Sequence, residues 1–201
     1  MDFADLVARA AALADGRRGM LGICGAPGAG KSTLAARLVA ALGDRAVYVG
    51  MDGFHLAQAE LDRLGRAERK GAPDTFDASG YVNLLRRLRD QTGVVYAPEF
   101  RREIEEPIAG AIPVFPDTPL VVTEGNYLLV PEDPWGQVRD LLDEIWFLRP
   151  GEDERHRRLI ARHELYGRSH QESRDRAFGS DERNATVINA TAERADLVLS
   201  G

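Results

Sequence analysis

The sequence has few of the features that would place it in a membrane or in an oxidising compartment. It has one cysteine, Cys24, among 201 residues, so no disulfide forms within the chain. A single cysteine fits a reducing compartment. No uninterrupted apolar run approaches the roughly 20 residues that span a bilayer. The first residues, MDFADLVARA, mix acidic with apolar side chains and lack the basic start of a secretory signal. We therefore expect a soluble, cytoplasmic protein without a membrane partner.

Basic residues are outnumbered by acidic ones. The chain has 26 lysines and arginines against 32 aspartates and glutamates, for a net charge of −6. Proteins that bind nucleic acid usually present a basic face, so nucleic acid is not an expected partner. Hydrophobic residues make up 44% and charged residues 29%, a balance typical of globular domains. The length predicts one domain, residues 1–201. The sequence does not decide whether the chain forms a homodimer.

Short apolar segments alternate with helical patterns along the chain. Strands are predicted at 19–26, 46–52, 120–130, 144–150 and 193–201, with a weaker one at 94–100. Helices are predicted at 3–14, 31–43, 79–90 and 152–167. This alternation predicts an α/β fold with a parallel sheet covered on both faces. Ligands of such sheets bind beyond the carboxyl ends of the strands.

The segment GAPGAGKST, residues 25–33, lies between a predicted strand and a predicted helix and matches G-x-x-x-x-G-K-[ST]. Glycines let backbone amides approach phosphate oxygens, and the following helix presents its positive end to the same anion. In this pattern the lysine reaches the β- and γ-phosphates and the hydroxyl binds Mg²⁺. We favour this interpretation over a plain glycine turn. The predicted phosphate-binding residues are Gly25, Gly28, Ala29, Gly30, Lys31, Ser32 and Thr33.

A candidate general base lies in the segment VGMDGFHL, residues 49–56. Asp52 ends the predicted second strand, where a carboxylate can accept the proton of an attacking hydroxyl beside the γ-phosphate. The alternative is that Asp52 and Gly53 form an ordinary turn. The phosphate loop makes us favour the general base. His55 either lines a substrate pocket or caps and packs, and the sequence does not separate the two.

A candidate metal-binding carboxylate, Glu124, lies in the segment LVVTEGNYLL. A charged group in an apolar strand is costly unless it is paired or bound to a metal. Near Ser32 it can hold Mg²⁺ directly or through water. The structural alternative is a salt bridge with an arginine of residues 149–169.

That arginine-rich segment is the third candidate element. Arg155, Arg158 and Arg162 are spaced i, i+3 and i+7, so we expect them on one helix face, and Arg168 follows in a turn. Guanidinium groups suit bidentate contact with phosphate and can neutralise charge on a transferring phosphoryl group. A basic helix folded over the nucleotide would also exclude water.

The same helix also has the pattern of an ordinary solvated helix. Asp153 and Arg157 are four residues apart, as are Glu154 and Arg158. Pairs at this spacing stabilise exposed helices without any role in catalysis. The sequence therefore predicts that at least one arginine is catalytic, but does not say which.

The phosphate loop, MDGFHL (51–56), RKGAPDTFD (69–77), VTEGNYLL (122–129) and RADLVLSG (194–201) together resemble the P-loop kinase family of uridine kinase, phosphoribulokinase and bacterial pantothenate kinase. Within it the chain is most similar to small uridine-kinase-like proteins labelled fructose transport system kinases. The similarity runs from about residue 19 to the end. It implies a P-loop NTPase fold with a five-stranded parallel sheet and an arginine-rich helical lid at about 150–180. It also implies ATP with Mg²⁺, and transfer of the γ-phosphoryl group to a substrate hydroxyl.

The resemblance also implies roles for individual residues. Asp52 matches the family's catalytic aspartate, Glu124 its acidic residue near the metal, and Arg158 and Arg162 its lid arginines; Lys31 belongs to the catalytic set through the phosphate loop. The residues expected on the acceptor side are His55, Lys70, Asp77 and Arg102. The segment at 97–110 departs from the family's usual form, because Arg101 stands where an aspartate is expected before an arginine.

Two other functions compete with a kinase acting on a small-molecule hydroxyl. A nucleotide kinase, whose acceptor is itself a phosphate, needs no general base. A nucleotide-dependent regulator would hydrolyse its bound nucleotide slowly or not at all. A GTPase switch would normally carry N-K-x-D, which this sequence does not contain.

Overall fold

The computed structural model describes residues 1–200, and the sheet within them confirms the predicted architecture. The strands in chain order are β1 (Gly19–Gly25), β2 (Ala46–Gly50), β3 (Val95–Arg101), β4 (Glu106–Val114), β5 (Leu120–Gly125), β6 (Glu144–Arg149) and β7 (Leu197–Ser200). Five of them form a sheet in the order β2-β5-β1-β6-β7, and every pair in it is parallel.

Helices cover both faces of this sheet. They are α1 (Phe3–Leu13), α2 (Lys31–Leu42), α3 (Gln58–Arg63), α4 (Ala78–Arg89), α5 (Glu152–Leu165), α6 (His170–Phe178) and α7 (Ser180–Asn189). Alternate residues of a strand point to opposite faces. Accordingly, Leu21 and Ile23 of β1 pack in a core with α1 and α2, whereas Met20 and Cys24 pack in a second core with α4.

The strand predicted at 94–100 forms, but not in the main sheet. It is β3, which pairs antiparallel with β4 in a separate hairpin. β4 was not predicted. This hairpin packs beside the short 3₁₀ turn Met51–Phe54 that follows β2. The second strand, β2, ends at Gly50, two residues earlier than predicted. The candidate base, Asp52, therefore lies on the turn that follows the strand.

The register of the central strands fixes the depth of the site. Glu124 of β5 pairs with Ile23 of β1 on one side and with Gly50 of β2 on the other. The phosphate loop leaves β1 two residues beyond Ile23, and the turn with Asp52 leaves β2 directly after Gly50. All three elements therefore meet at the carboxyl edge of the sheet, where ligands were expected.

Among residues 1–200, no helix combines the length and apolar character needed to cross a bilayer.

Candidate active site

The loop between β1 and α2 depends on glycine for its shape. Gly28 and Gly30 have φ values of 82° and 95°, a backbone region that side chains rarely allow. A Cβ at Gly28 would lie 2.7 Å from the carbonyl oxygen of Arg155 and 2.7 Å from Cγ of Leu159. The loop is thus packed directly against α5, and a larger residue at Gly28 would separate them.

Lys31 is the first residue of α2 and is buried, with 8% of its surface exposed. Its Nζ donates a hydrogen bond to the carbonyl oxygen of Ala26, 3.1 Å away, across the loop. Burial lowers the pKa of Lys31, and the nearby carboxylate of Glu124 opposes that change. The ammonium group is therefore held inside the curve of the loop, close to the positive end of the helix.

Glu124 is almost fully buried, with 3% exposed, and its carboxylate is held on one side only. Its Oε1 accepts hydrogen bonds from the hydroxyls of Tyr48 at 2.8 Å and Ser32 at 3.3 Å. Burial, and then the charge of Asp52, raise its pKa. The salt bridge considered for Glu124 does not form among residues 1–200. A hydroxyl beside a carboxylate is a donor set that suits Mg²⁺.

Asp52 forms an ion pair with Arg102 from the turn of the β3–β4 hairpin. Nη2 of Arg102 lies 2.8 Å from Oδ2 of Asp52, and about 30% of each side chain is exposed. Burial would raise the pKa of Asp52, but its electrostatic interactions with His55, Arg102 and Lys31 outweigh burial and hold the pKa below its usual value. The second oxygen, Oδ1, accepts no hydrogen bond from residues 1–200.

His55 both lines the cavity and packs against neighbouring rings, so its position is compatible with both alternatives that the sequence left open. It lines the same cavity as Asp52, and its Nδ1 lies 2.8 Å from the backbone oxygen of Asp52. Its ring also packs between Phe76 and Phe100, at centroid distances of 4.0 and 4.7 Å. Burial lowers the pKa of His55, which favours the neutral imidazole.

A cavity of about 390 Å³ brings most of the predicted residues together. The phosphate loop and α2 contribute Lys31 and Ser32, the strand ends contribute Asp52 and Glu124, and α5 contributes Arg162. Burial lowers the pKa of the Arg162 guanidinium, as does the like charge of Arg102. Lys70, His55 and Arg102 line the same cavity.

The arginines predicted on one helix face have three different environments. Arg162 lines the cavity, whereas Arg158 pairs with Glu154 at 2.7 Å and donates to the carbonyl oxygen of Ala29 at 3.3 Å. Arg158 faces a second cleft of about 540 Å³, which Thr33 also lines. The predicted pair of Glu154 with Arg158 is confirmed, but Arg157 pairs with Glu154 rather than with Asp153.

Arg155 is a structural residue in this arrangement, because its side chain is only 1% exposed. It donates to Glu152 at 2.6 Å, to Glu182 of α7, and to the carbonyl oxygen of Pro27 in the phosphate loop at 3.4 Å. His156 completes a group that could ligate a metal, but the guanidinium already donates to both carboxylates. The group is therefore an ion-pair network that joins the loop, α5 and α7.

Residues 20–200 match the sequence model of the "Phosphoribulokinase / Uridine kinase family". The chain belongs to this family. A Schizosaccharomyces pombe protein provisionally named a uridine kinase is 33% identical over 195 residues, which cover 91% of this chain and 83% of that protein. The pantothenate kinase of Lacticaseibacillus casei is 30% identical over 131 residues, covering 62% of this chain and 42% of that enzyme.

A solved structure extends the similarity to the whole fold. The crystal structure of a Silicibacter sp. TM1040 protein, provisionally named a fructose transport system kinase, superposes with a TM-score of 0.90. The two chains are 36% identical, and the match covers 99% of each. Family membership confirms the expected P-loop kinase fold and the expected ATP-dependent phosphotransferase acting on a hydroxyl. The family also implies ATP, typically with Mg²⁺.

The structure corrects the placement of one residue of this kinase, Asp77. Its side chain is exposed and caps α4, accepting a hydrogen bond from the backbone nitrogen of Gly80 at 2.8 Å. It does not line the cavity, although its neighbour Phe76 does. The contact that caps α4 turns the Asp77 side chain away from the cavity.

Several residues of the site were not predicted, and three of them stand out. Tyr48 holds Glu124, while Asn126 and Arg176 line the cavity. Tyr48 and Asn126 lie within the strands predicted at 46–52 and 120–130, so their position in sequence was an available signal. Arg176 lies on α6, a helix that the sequence analysis did not predict.

Proposed function

We propose that this chain is an ATP-dependent kinase that transfers the γ-phosphoryl group to a hydroxyl of a sugar, nucleoside or related metabolite. The observation that carries the proposal is that Asp52 and Lys31 line one cavity whose volume suits a small metabolite. A base on one side of the transferred group and a phosphate-binding lysine on the other is the arrangement that in-line transfer to a hydroxyl requires.

The polyphosphate and the nucleoside of the nucleotide bind in different places. The phosphate loop, residues 25–32, holds the polyphosphate through its backbone amides and through Lys31. The nucleoside lies in the second cleft, beside Thr33 and Arg158, which opens next to the same loop. Ser32 and Glu124 would hold Mg²⁺, which neutralises charge on the phosphate oxygens when bound.

The transfer step uses the free oxygen of Asp52. Oδ1 accepts the proton of the acceptor hydroxyl while the hydroxyl oxygen forms a bond to the γ-phosphorus. The bond from the γ-phosphorus to the bridging oxygen breaks, and that oxygen leaves with ADP. Arg102 keeps Oδ2 occupied, so that the carboxylate stays ionised and fixed in orientation. Lys31 and Arg162 stabilise the charge on the transferring group.

Residues 150–180 serve as the lid of what we take to be one kinase domain. Arg162 of α5 and Arg176 of α6 line the cavity, so these helices shield the reacting groups from water. The ion-pair network of Arg155 ties the first of these helices to the phosphate loop.

Acceptor-stimulated ATP consumption tests this function. ATP consumption is measured alone and then with panels of sugars, nucleosides, pantothenate and nucleoside monophosphates. A large increase with one hydroxyl acceptor is expected, and Lys31→Ala should abolish it because the phosphates lose their positioning charge. Stimulation by a nucleoside monophosphate alone would indicate a phosphate acceptor. No stimulation by any panel would favour a regulator.

A further inference from the structure

One part of the acceptor cavity is lined by three positive side chains that the transfer step does not use. They are Lys70, which precedes α4, Arg168 in the turn after α5, and Arg176 on α6. We call them the basic wall. Among residues 1–200, no carboxylate lies within 4.0 Å of any of the three, although the chain as a whole carries a net charge of −6. Most other arginines of the described chain do form such pairs.

Lys70 is held in place by neutral groups. Its Nζ donates to the backbone oxygen of Glu105 at 2.7 Å and to the side-chain oxygen of Gln58 at 3.4 Å. Glu105 has φ 53°, the one non-glycine residue among 1–200 with a positive φ. Strained backbone of this kind is concentrated at functional sites. These contacts orient the ammonium group and leave its charge without an opposite charge.

The side chains of Arg168 and Arg176 form no hydrogen bond with residues 1–200, and both residues are partly buried. Burial and the like charge of Arg168 both lower the pKa of Arg176. Asp181, Glu68 and Glu105 also line the cavity, but none of them lies within 4.0 Å of these guanidinium groups. Two partly buried guanidinium groups beside each other are unfavourable unless an anion joins them.

We propose that the acceptor is an alcohol that also carries an anionic group, a carboxylate or a phosphate monoester, bound by Lys70, Arg168 and Arg176. This inference rests on the proposed function, because the hydroxyl of the same molecule must reach Asp52. Guanidinium groups bind both kinds of anion in bidentate fashion, which would fix the orientation of the acceptor. The anion site differs from the γ-phosphate site, which uses Lys31 and Arg162.

Matched acceptor pairs test the charge requirement. The pairs are glycerate with glycerol, pantothenate with pantothenol, and fructose 6-phosphate with fructose. For the pair that is phosphorylated, the anionic member should have a kcat/KM at least ~10-fold higher. A carboxylate pair and a phosphate pair distinguish the two sources of charge. Equal or better use of the neutral member would overturn the inference and leave the proposed function standing.

Variants then test the residues. Replacing both arginines, Arg168→Gln with Arg176→Gln, should raise the KM of the anionic acceptor at least ~10-fold and leave the KM of ATP unchanged. Arg174→Gln is the matched control. Arg174 lies on α6, as Arg176 does, but it is exposed and packs over the ring of Phe178. An unchanged acceptor KM in the double variant would overturn the assignment.

A binding measurement separates this inference from the proposed function. Thermal unfolding is followed with a non-hydrolysable ATP analogue bound, so that added anions cannot use the phosphate loop. Anionic members of the pairs should raise the midpoint in the unmodified protein but not in the double variant, and neutral members should not. Absence of an anion-specific rise, or its persistence in the double variant, overturns the inference. An anion-specific rise without turnover of any acceptor would overturn the proposed function and leave the basic wall as an anion-binding site only.

Discussion

The guanidinium of Arg102 is paired with the carboxylate of Asp52, with 2.8 Å between Nη2 and Oδ2. The pair joins the β3–β4 hairpin to the end of β2, two elements that are 50 residues apart in sequence. It gives the two carboxylate oxygens different surroundings, since one is bound and the other accepts no hydrogen bond from residues 1–200. A base held in this way stays ionised and presents one oxygen to the acceptor.

Arg102→Gln should therefore move the acid limb of the pH profile. Arg102 is one of the positive groups that lower the pKa of Asp52, so its removal raises that pKa. The ionised base is lost as the pH falls through its pKa, and the loss of kcat/KM should begin at higher pH in the variant. The measurement is kcat/KM from pH 4 to pH 8. Arg101→Gln is the control, because Arg101 is exposed and pairs with Glu99. An acid limb at the same pH in both variants would contradict the role of the pair.

Glu124→Gln should change the dependence on magnesium more than any other property. The substitution keeps the shape of the side chain but removes the charge that favours a divalent cation. We expect the Mg²⁺ concentration for half-maximal activity to rise by about 10–100-fold. Titration of activity with Mg²⁺ at fixed ATP measures it. Tyr48→Phe, which removes only one hydrogen bond to the carboxylate, should give a smaller rise. An unchanged Mg²⁺ requirement in Glu124→Gln would exclude the metal role.

Asp77→Ala should affect stability and leave catalysis intact. The side chain caps α4, and loss of such a cap costs about 1 kcal/mol. Urea denaturation should show this fall in the free energy of unfolding, while the KM of the acceptor stays at the wild-type value. A large rise in KM without loss of stability would restore the substrate role implied by the resemblance.

Much of the fold and part of the site could be predicted from local sequence. The phosphate loop and the strands around it are specified by short sequence patterns of adjacent residues. The structure has these elements where the patterns predicted them. Pairing of Ser32 with Glu124 followed from two strand ends meeting at one edge of the sheet. These features required no knowledge of the connecting segments.

The features that were missed depend on contacts distant in sequence or on weak local patterns. β4 contains Pro107, Gly110 and Pro113, which normally disfavour strands and concealed its alternation. α6 and α7 are rich in charge and have little apolar periodicity. The capping box formed by Ser169 and Glu172 was the available signal for the start of α6.

The arginines of α5 show what spacing alone cannot decide. The sequence spacing places Arg155, Arg158 and Arg162 on one face of the helix, but in the structure each side chain has different neighbours. Glu182, which helps to bury Arg155, comes from a helix 27 residues further along the chain. A buried partner of this kind has no local signature, so the structural arginine could not be told from the catalytic candidates.

Arg155→Ala should destabilise the fold. The change removes hydrogen bonds to two carboxylates and the contact with the phosphate loop, and we expect a loss of about 2 kcal/mol in the free energy of unfolding. Arg157→Ala is the matched control on the same helix, since Arg157 is exposed and pairs only with Glu154. Urea denaturation of both variants checks this, and equal stabilities would contradict the structural role of Arg155.

Asp52→Asn tests the account most directly, through single-turnover phosphoryl transfer measured alongside calorimetric binding of ATP. Asparagine keeps the size of the side chain but cannot accept the proton of the hydroxyl. We predict a fall of about 10²–10⁴-fold in the rate of transfer, with the dissociation constant of ATP within a few-fold of wild type. Near wild-type transfer, or a fall matched by an equal loss of ATP affinity, would contradict a general base at Asp52.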